Sequence, residues 1–121
     1  MWLGVKTPLH HVSWQAVQHA WQTADGCDTL ASAWLFDHVA AVWGDWTGPC
    51  VEAWTALAAL SAVTTRIAVG TMCSPIAFRH PFLLAQMACT VQQVSGGRVS
   101  PRGRRGLENR EGGGRGPRPP P

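Results

Sequence analysis

Three short apolar runs, each followed by a stretch of helical periodicity, set the frame within which this chain folds. Trp2-Leu3-Gly4-Val5-Lys6-Thr7 is the first, closed by Pro8; Ala33-Trp34-Leu35-Phe36 is the second; Ile67-Ala68-Val69-Gly70 is the third. They are apolar throughout rather than alternating, which is the pattern of strands covered on both faces, as in parallel sheets. After the first run, Trp14, Val17, Trp21 and Ala24 recur at helical spacing behind Ser13, a suitable N-cap, and Asp25-Gly26 ends the helix. Gly48-Pro49 opens a second helix, predicted from Cys50 to about Thr64, with the proline in the permissive first turn. Trp54, Leu57, Ala58, Leu60 and Ser61 lie along one side of it. A third helix is predicted over His80–Val94, with Pro81 near its start and Leu84, Met87, Ala88 and Val91 as its apolar stripe. Ser95-Gly96-Gly97 ends it with a glycine cap, and Arg98-Val99 begins a fourth strand. The order β-α-β-α-β-α-β predicts an α/β fold, a parallel sheet covered by helices. Doubly wound sheets and (β/α)8 barrels both satisfy that pattern.

The pattern stops at a seam in composition. Up to Arg98 the cations Lys6, Arg66, Arg79 and Arg98 face Asp25, Asp28, Asp37, Asp45 and Glu52. From Val99 onward, Arg102, Arg104, Arg105, Arg110, Arg115 and Arg118 face only Glu108 and Glu111. The formal net charge of +3 therefore belongs to the tail and not to a basic fold. All seven Trp and all three Phe precede the seam, while the tail has only Val99 and Leu107 as large apolar residues, too few to bury a core. The chain divides into a folded unit, 1–99, and a disordered Arg/Gly/Pro-rich tail, 100–121.

Several functional classes are excluded on the same grounds. No apolar run reaches the roughly 20 residues of a membrane span. No charged segment followed by an apolar stretch marks the N-terminus as a secretory signal, so a cytoplasmic protein with reduced thiols is expected. Cys27, Cys50, Cys73 and Cys89 form no C-x-x-C pair. The adjacent His10-His11 pair and His19 have no carboxylate at ligand spacing, so no metal site is expected.

The local motifs are more specific than the alternation. Phe36-Asp37-His38 puts an Asp-His pair just past the end of a strand. Glu52-Ala53-Trp54 opens a helix that leads through Thr64-Thr65-Arg66 into the third strand. Arg79-His80-Pro81 begins the helix that runs into Ser95-Gly96-Gly97-Arg98. In this order and spacing the series resembles the bacterial-luciferase-like monooxygenases, and within them the branch of oxidoreductases that uses coenzyme F420, a deazaflavin. The resemblance covers residues 3–99. It implies the N-terminal part of a (β/α)8 barrel, about three and a half βα units, with the active site at the C-terminal ends of the strands. It also implies hydride transfer between reduced F420, or alternatively FMN, and a small organic substrate, with the cofactor carrying the hydride.

Carried onto this sequence, the resemblance implies that Asp37 and His38 line the cofactor pocket, with His38 near the deazaflavin ring as the catalytic candidate. Imidazole suits proton handling because it titrates near neutrality; the plainer reading is a loop capped by Asp beside a solvated His. The resemblance implies a non-proline cis peptide at Met72-Cys73, supporting the face of the cofactor; read alone, Cys73 is an ordinary small thiol. Trp43 or Trp46 is a candidate aromatic wall. Glu52 suits the first helical turn through the helix dipole, and Arg79 suits a structural role at a helix start.

Past Ser100 the resemblance stops where a glycine-rich strand end is due. Read one base later, the codons for Pro101-Arg102-Gly103-Arg104-Arg105-Gly106-Leu107 permit Leu-Gly-Ala-Gly-Ala-Gly-Trp, the motif expected there. The tail is accordingly expected to be out-of-frame translation, and the chain a truncated product, inactive alone and prone to self-association through an exposed sheet edge. The competing reading is a small binding module whose arginine-glycine tail contacts RNA through phosphates. The tail's complete lack of aromatic stacking residues argues against that partner.

Overall fold

The computed structural model describes residues 3–100, apart from the side chain of Ile76. The elements follow the predicted alternation: β1 (Leu3–Thr7), α1 (Trp14–Asp25), β2 (Leu30–Leu35), α2 (Ala53–Ala62), β3 (Ala68–Thr71), a 3-10 turn (Ile76–Phe78) and α3 (Pro81–Val94). The three strands form one parallel sheet in the order β1-β2-β3. The predicted fourth strand is a single parallel bridge, Val69 to Val99, with the Val69 N–H donating to Arg98 O (2.9 Å) and the Ser100 N–H to Val69 O (2.9 Å). The expected disorder and out-of-frame origin of the tail fall on 100–121, almost wholly outside the described residues. None of the described helices is long and apolar enough to cross a membrane.

The helices form where their stripes predict. Ser13 caps α1 by accepting the Ala16 N–H, and Val17, Trp21 and Ala24 are buried. α3 begins with Pro81 at its first turn and ends at Ser95, followed by Gly96 and Gly97 at φ +64° and +93°. That left-handed stop is one that glycine makes without steric cost. The second helix departs from expectation. It starts at Ala53, not near Cys50, because Glu52 is its cap: its carboxylate accepts the Trp54 and Thr55 N–H groups at 3.0 and 2.7 Å. Pro49 lies outside the helix, its carbonyl accepting the His11 N–H at 3.1 Å.

The two faces of the sheet are distinct. Val5, Ala33, Leu35 and Val69 pack with Val17, Trp21, Leu57 and Leu60 in the main core. Thr7 is on the same side, since Trp21 of α1 donates its indole N–H to Thr7 Oγ1 at 3.1 Å. Strand side chains alternate, so Gly4, Lys6, Trp34 and Gly70 stand on the opposite, inner face. There the Trp34 indole lies across the strands. A Cβ on Gly4 would meet Trp34 Nε1 at 3.2 Å, and one on Gly70 would meet Trp34 Cζ3 at 2.7 Å. Glycine on both neighbouring strands makes room for that ring.

At the N-terminal end of the sheet, two arginines tie the turns together. Arg66 donates to the carbonyls of Ala24, Asp25, Cys27 and Leu30. Arg98 donates to those of Ser61, Thr64, Ile67 and Ser95. Asp25 accepts the N–H groups of Thr65, Arg66 and Ile67. Partial burial works against its ionised form, but the hydrogen bonds outweigh that and hold its carboxyl at about 2.

Candidate active site

The C-terminal ends of the three strands bring together the loops 8–13, 36–52 and 72–80. The first two are zipped by an antiparallel bridge between His10 and Cys50, with the Val51 N–H donating to Leu9 O at 2.9 Å. Beside it His11 sits at φ 55° against Gly44 and Gly48; a Cβ on Gly48 would fall 2.2 Å from His11 Cε1. Asp45 stiffens the same loop by accepting the Thr47 N–H and hydroxyl at 3.0 and 2.7 Å.

Asp37 is fully buried and bonded on both oxygens. Arg79 reaches them in a fork, 2.7 Å to Oδ2 and 2.8 Å to Oδ1. The Trp54 indole N–H lies 3.2 Å from Asp37 Oδ2 and 2.9 Å from Ser74 Oγ. Ser74 in turn is 2.8 Å from Thr71 Oγ1. Arg79 also binds the carboxylate of Glu52. Burial works to lower the Arg79 pKa, but its hydrogen bonds to Asp37 and Glu52 outweigh it and raise that pKa. Burial likewise opposes ionisation of Glu52, but the Thr55, Trp54 and Arg79 hydrogen bonds win and hold it at about 2. A planar guanidinium facing a carboxylate in this bidentate manner is among the stronger charged contacts. The network joins the segment after β2, the start of α2, the end of β3 and the start of α3.

Most of the other residues singled out in the sequence lie in the same loops. His38 is half-buried, its ring tilted 30° to Phe36 with centroids 6.0 Å apart. Cys50 Sγ donates to the His38 carbonyl at 3.5 Å, and burial raises the pKa of that thiol. The Met72-Cys73 peptide is cis, both residues are exposed, and the Met72 N–H donates to Leu35 O at 2.8 Å. Trp43 stands edge-on to Phe36 at 5.7 Å and to His10 at 4.4 Å. Trp46, the other candidate for an aromatic wall, is 73% exposed. Lys6 Nζ lies 3.8 Å above the Phe36 ring. His10 is buried, and neither ring nitrogen has a hydrogen-bond partner.

Three members of this arrangement carry little mark in the sequence: Trp54 lies on the apolar side of a predicted helix, Arg79 at a predicted helix start, and Ser74 in a loop. Arg79 carried a signal: it is the one charged residue between Arg66 and Arg98. A lone charge in an apolar stretch needs a counter-charge from elsewhere in the chain. A buried indole N–H likewise needs an acceptor.

Among the described residues no group of three or more His, Cys, Asp or Glu is placed to hold a metal ion. A flat ring with polar edges, such as a deazaflavin or flavin, requires an apolar face and hydrogen-bonding groups at its rim. Trp43 and Met72 supply exposed apolar surface here, and the half-buried His38 imidazole supplies a polar edge. The residues present fit such a group.

Comparison with known proteins bears on what this arrangement is. A search of curated proteins finds no match to the chain. Among solved structures, the coenzyme F420-dependent tetrahydromethanopterin reductase from Methanopyrus kandleri is similar at a TM-score of 0.67 and 21% identity, over 80% of this chain. The chain spans 25% of that reductase's length. The likeness identifies the fold as the N-terminal part of a barrel, with the three parallel strands as consecutive staves. The family model of the luciferase-like monooxygenases matches residues 9–100, which is most of the chain. The chain belongs to the luciferase-like monooxygenase family.

Proposed function

We propose that residues 3–99 form the first part of the active face of an oxidoreductase that moves a hydride between reduced coenzyme F420 and a small organic substrate, with FMN as the alternative cofactor. The single observation that carries the reading is that the loops bearing His38, Trp43, Met72 and Cys73 leave the same, C-terminal end of the sheet, where Arg79 holds Asp37. The family match and the F420-dependent neighbour support it.

When bound, the cofactor supplies the hydride. The chain's own residues orient and shield. Met72 and Cys73 would support one face of the ring, and Trp43 would wall the pocket. Imidazole both gives and accepts a proton, and His38 would do so beside the ring. Asp37, held by Arg79 and Trp54, would fix the backbone that carries His38. Three staves of eight leave the remaining contacts to later parts of a complete barrel. The chain alone is therefore expected to bind weakly and to turn over no substrate.

Titration of the purified chain with F420 and with FMN, followed by fluorescence, tests the reading. Saturable binding that favours F420 and weakens in His38→Ala is expected. No saturable binding of either cofactor would overturn it. Tight stoichiometric binding would contradict the need for the later staves.

A further inference from the structure

We infer that Lys6 anchors an anionic group, carboxylate or phosphate, on the molecule bound at this site; the inference rests on the oxidoreductase reading and names its substrate class. Lys6 is the chain's single lysine. Thr7 faces α1 through its bond to Trp21, and Val5 packs in the core, so Lys6 points to the inner face beside its register partner Trp34. A closing barrel covers that face, and lysine is almost never covered without a partner of opposite charge.

The protein supplies Lys6 with no such partner among the described residues. Both ion pairs there belong to Arg79, which holds Asp37 and Glu52. Asp45 is bonded to Thr47, and Asp25 is engaged with Thr65, Arg66 and Ile67 at the opposite end of the sheet. Asp28 precedes β2, also at that far end. The contact that Lys6 does make is with the face of Phe36. Phe36 also touches His38 and Trp43, and Trp43 touches His10, the imidazole whose nitrogens are both buried without partners. One end of the inner face thus combines a cation and the His38 imidazole with an aromatic floor, while Asp37 and Glu52 are clamped by Arg79. That combination suits an oxyanion carried on an apolar or planar body.

Methyl acetyl phosphate, an anionic acetyl donor, tests this on the full chain. Its acetyl group passes to the Lys6 amine as methyl phosphate leaves, and peptide mass spectrometry separates Lys6 from the N-terminal amine. At an anion site the labelling rate saturates with reagent, and inorganic phosphate or malonate lowers it about tenfold. Whichever ion protects at the lower concentration identifies phosphate or carboxylate as the preferred group. The neutral donor N-acetoxysuccinimide should label Lys6 linearly, without protection by either ion. Linear labelling by the anionic donor, or equal protection against both donors, overturns the inference. The assay needs no cofactor. Saturable labelling without F420 or FMN binding keeps the anion site and removes the oxidoreductase reading; cofactor binding with linear labelling does the reverse.

Discussion

Replacing Asp37 by Asn deletes one charge from a pair sealed away from water. The Asp37 side chain has no exposed surface, and that of Arg79 is only 9% exposed. Removing one partner of such a pair costs about 3–5 kcal/mol, chiefly because the other charge is left buried and uncompensated. Two features place this case at the low end. Glu52 still touches Arg79, with its own side chain 43% exposed, and the amide oxygen can still accept from Trp54. The expected loss is thus about 3 kcal/mol. At about 4–8 °C per kcal/mol for a domain of this size, the melting midpoint should fall by about 12–24 °C. Thermal melts followed by circular dichroism measure it. Arg79→Gln should cost a comparable amount, and the Asp37→Asn/Arg79→Gln double variant should lose less than the sum of the two by about 1–3 kcal/mol. A midpoint shift under about 4 °C, or strict additivity, would refute the reasoning.

Gly70→Ala places a Cβ 2.7 Å from Trp34 Cζ3 and should cost about 1–3 kcal/mol, with altered near-ultraviolet circular dichroism; an unchanged denaturation midpoint would count against the inner-face packing. Arg98→Gln should cost about 1–3 kcal/mol, because the carbonyls of Ser61, Thr64 and Ile67 lose a shared donor; urea melts read it. Asp25 and Glu52 are held at about 2 in the folded state, below their ordinary 3.8 and 4.5. As pH falls the unfolded chain takes up these protons first, so stability should be level above about pH 5 and decline progressively down to about pH 2. Urea midpoints across that range check it, and Asp25→Asn should flatten the decline. The outer edge of β1 pairs with no strand among the described residues, and Phe82 and Leu83 of α3 are exposed, so sedimentation velocity should show self-association; a sharp monomer boundary would contradict this.

Strands and helices were legible because their signals are local. Continuous apolar runs mark strands covered on both faces. The stripes through Trp21 and Val91 mark helices with one buried side, and Gly96-Gly97 marks a stop. What was not legible depends on partners distant in the chain. The start of α2 moved because Glu52 out-competes Pro49 as an initiator, and because His11 takes the Pro49 carbonyl. Uniformly apolar strands do not announce which face meets the helices; the Trp21–Thr7 bond decides that. Asp37 and His38 were legible as loop residues at a strand end, but the 42-residue separation of Arg79 from Asp37 hid the group that holds Asp37. The Met72-Cys73 geometry was anticipated through the family resemblance, since two such side chains carry no local mark of it.

The arginine ties described for the turns before β2, β3 and Val99 carry a consequence for how such a segment can change. They fasten one end of the sheet through backbone carbonyls, groups that every residue possesses. Their hold does not depend on which side chains occupy those turns, and it lies a full strand's length from the loops bearing His38 and Cys73. The Asp37–Arg79 pair fastens the other end through a separate set of side chains. Substitutions in residues 39–48, outside Trp43, Gly44 and Gly48, leave the carbonyl ties at the opposite pole untouched. The strands can therefore keep their register through change in that loop.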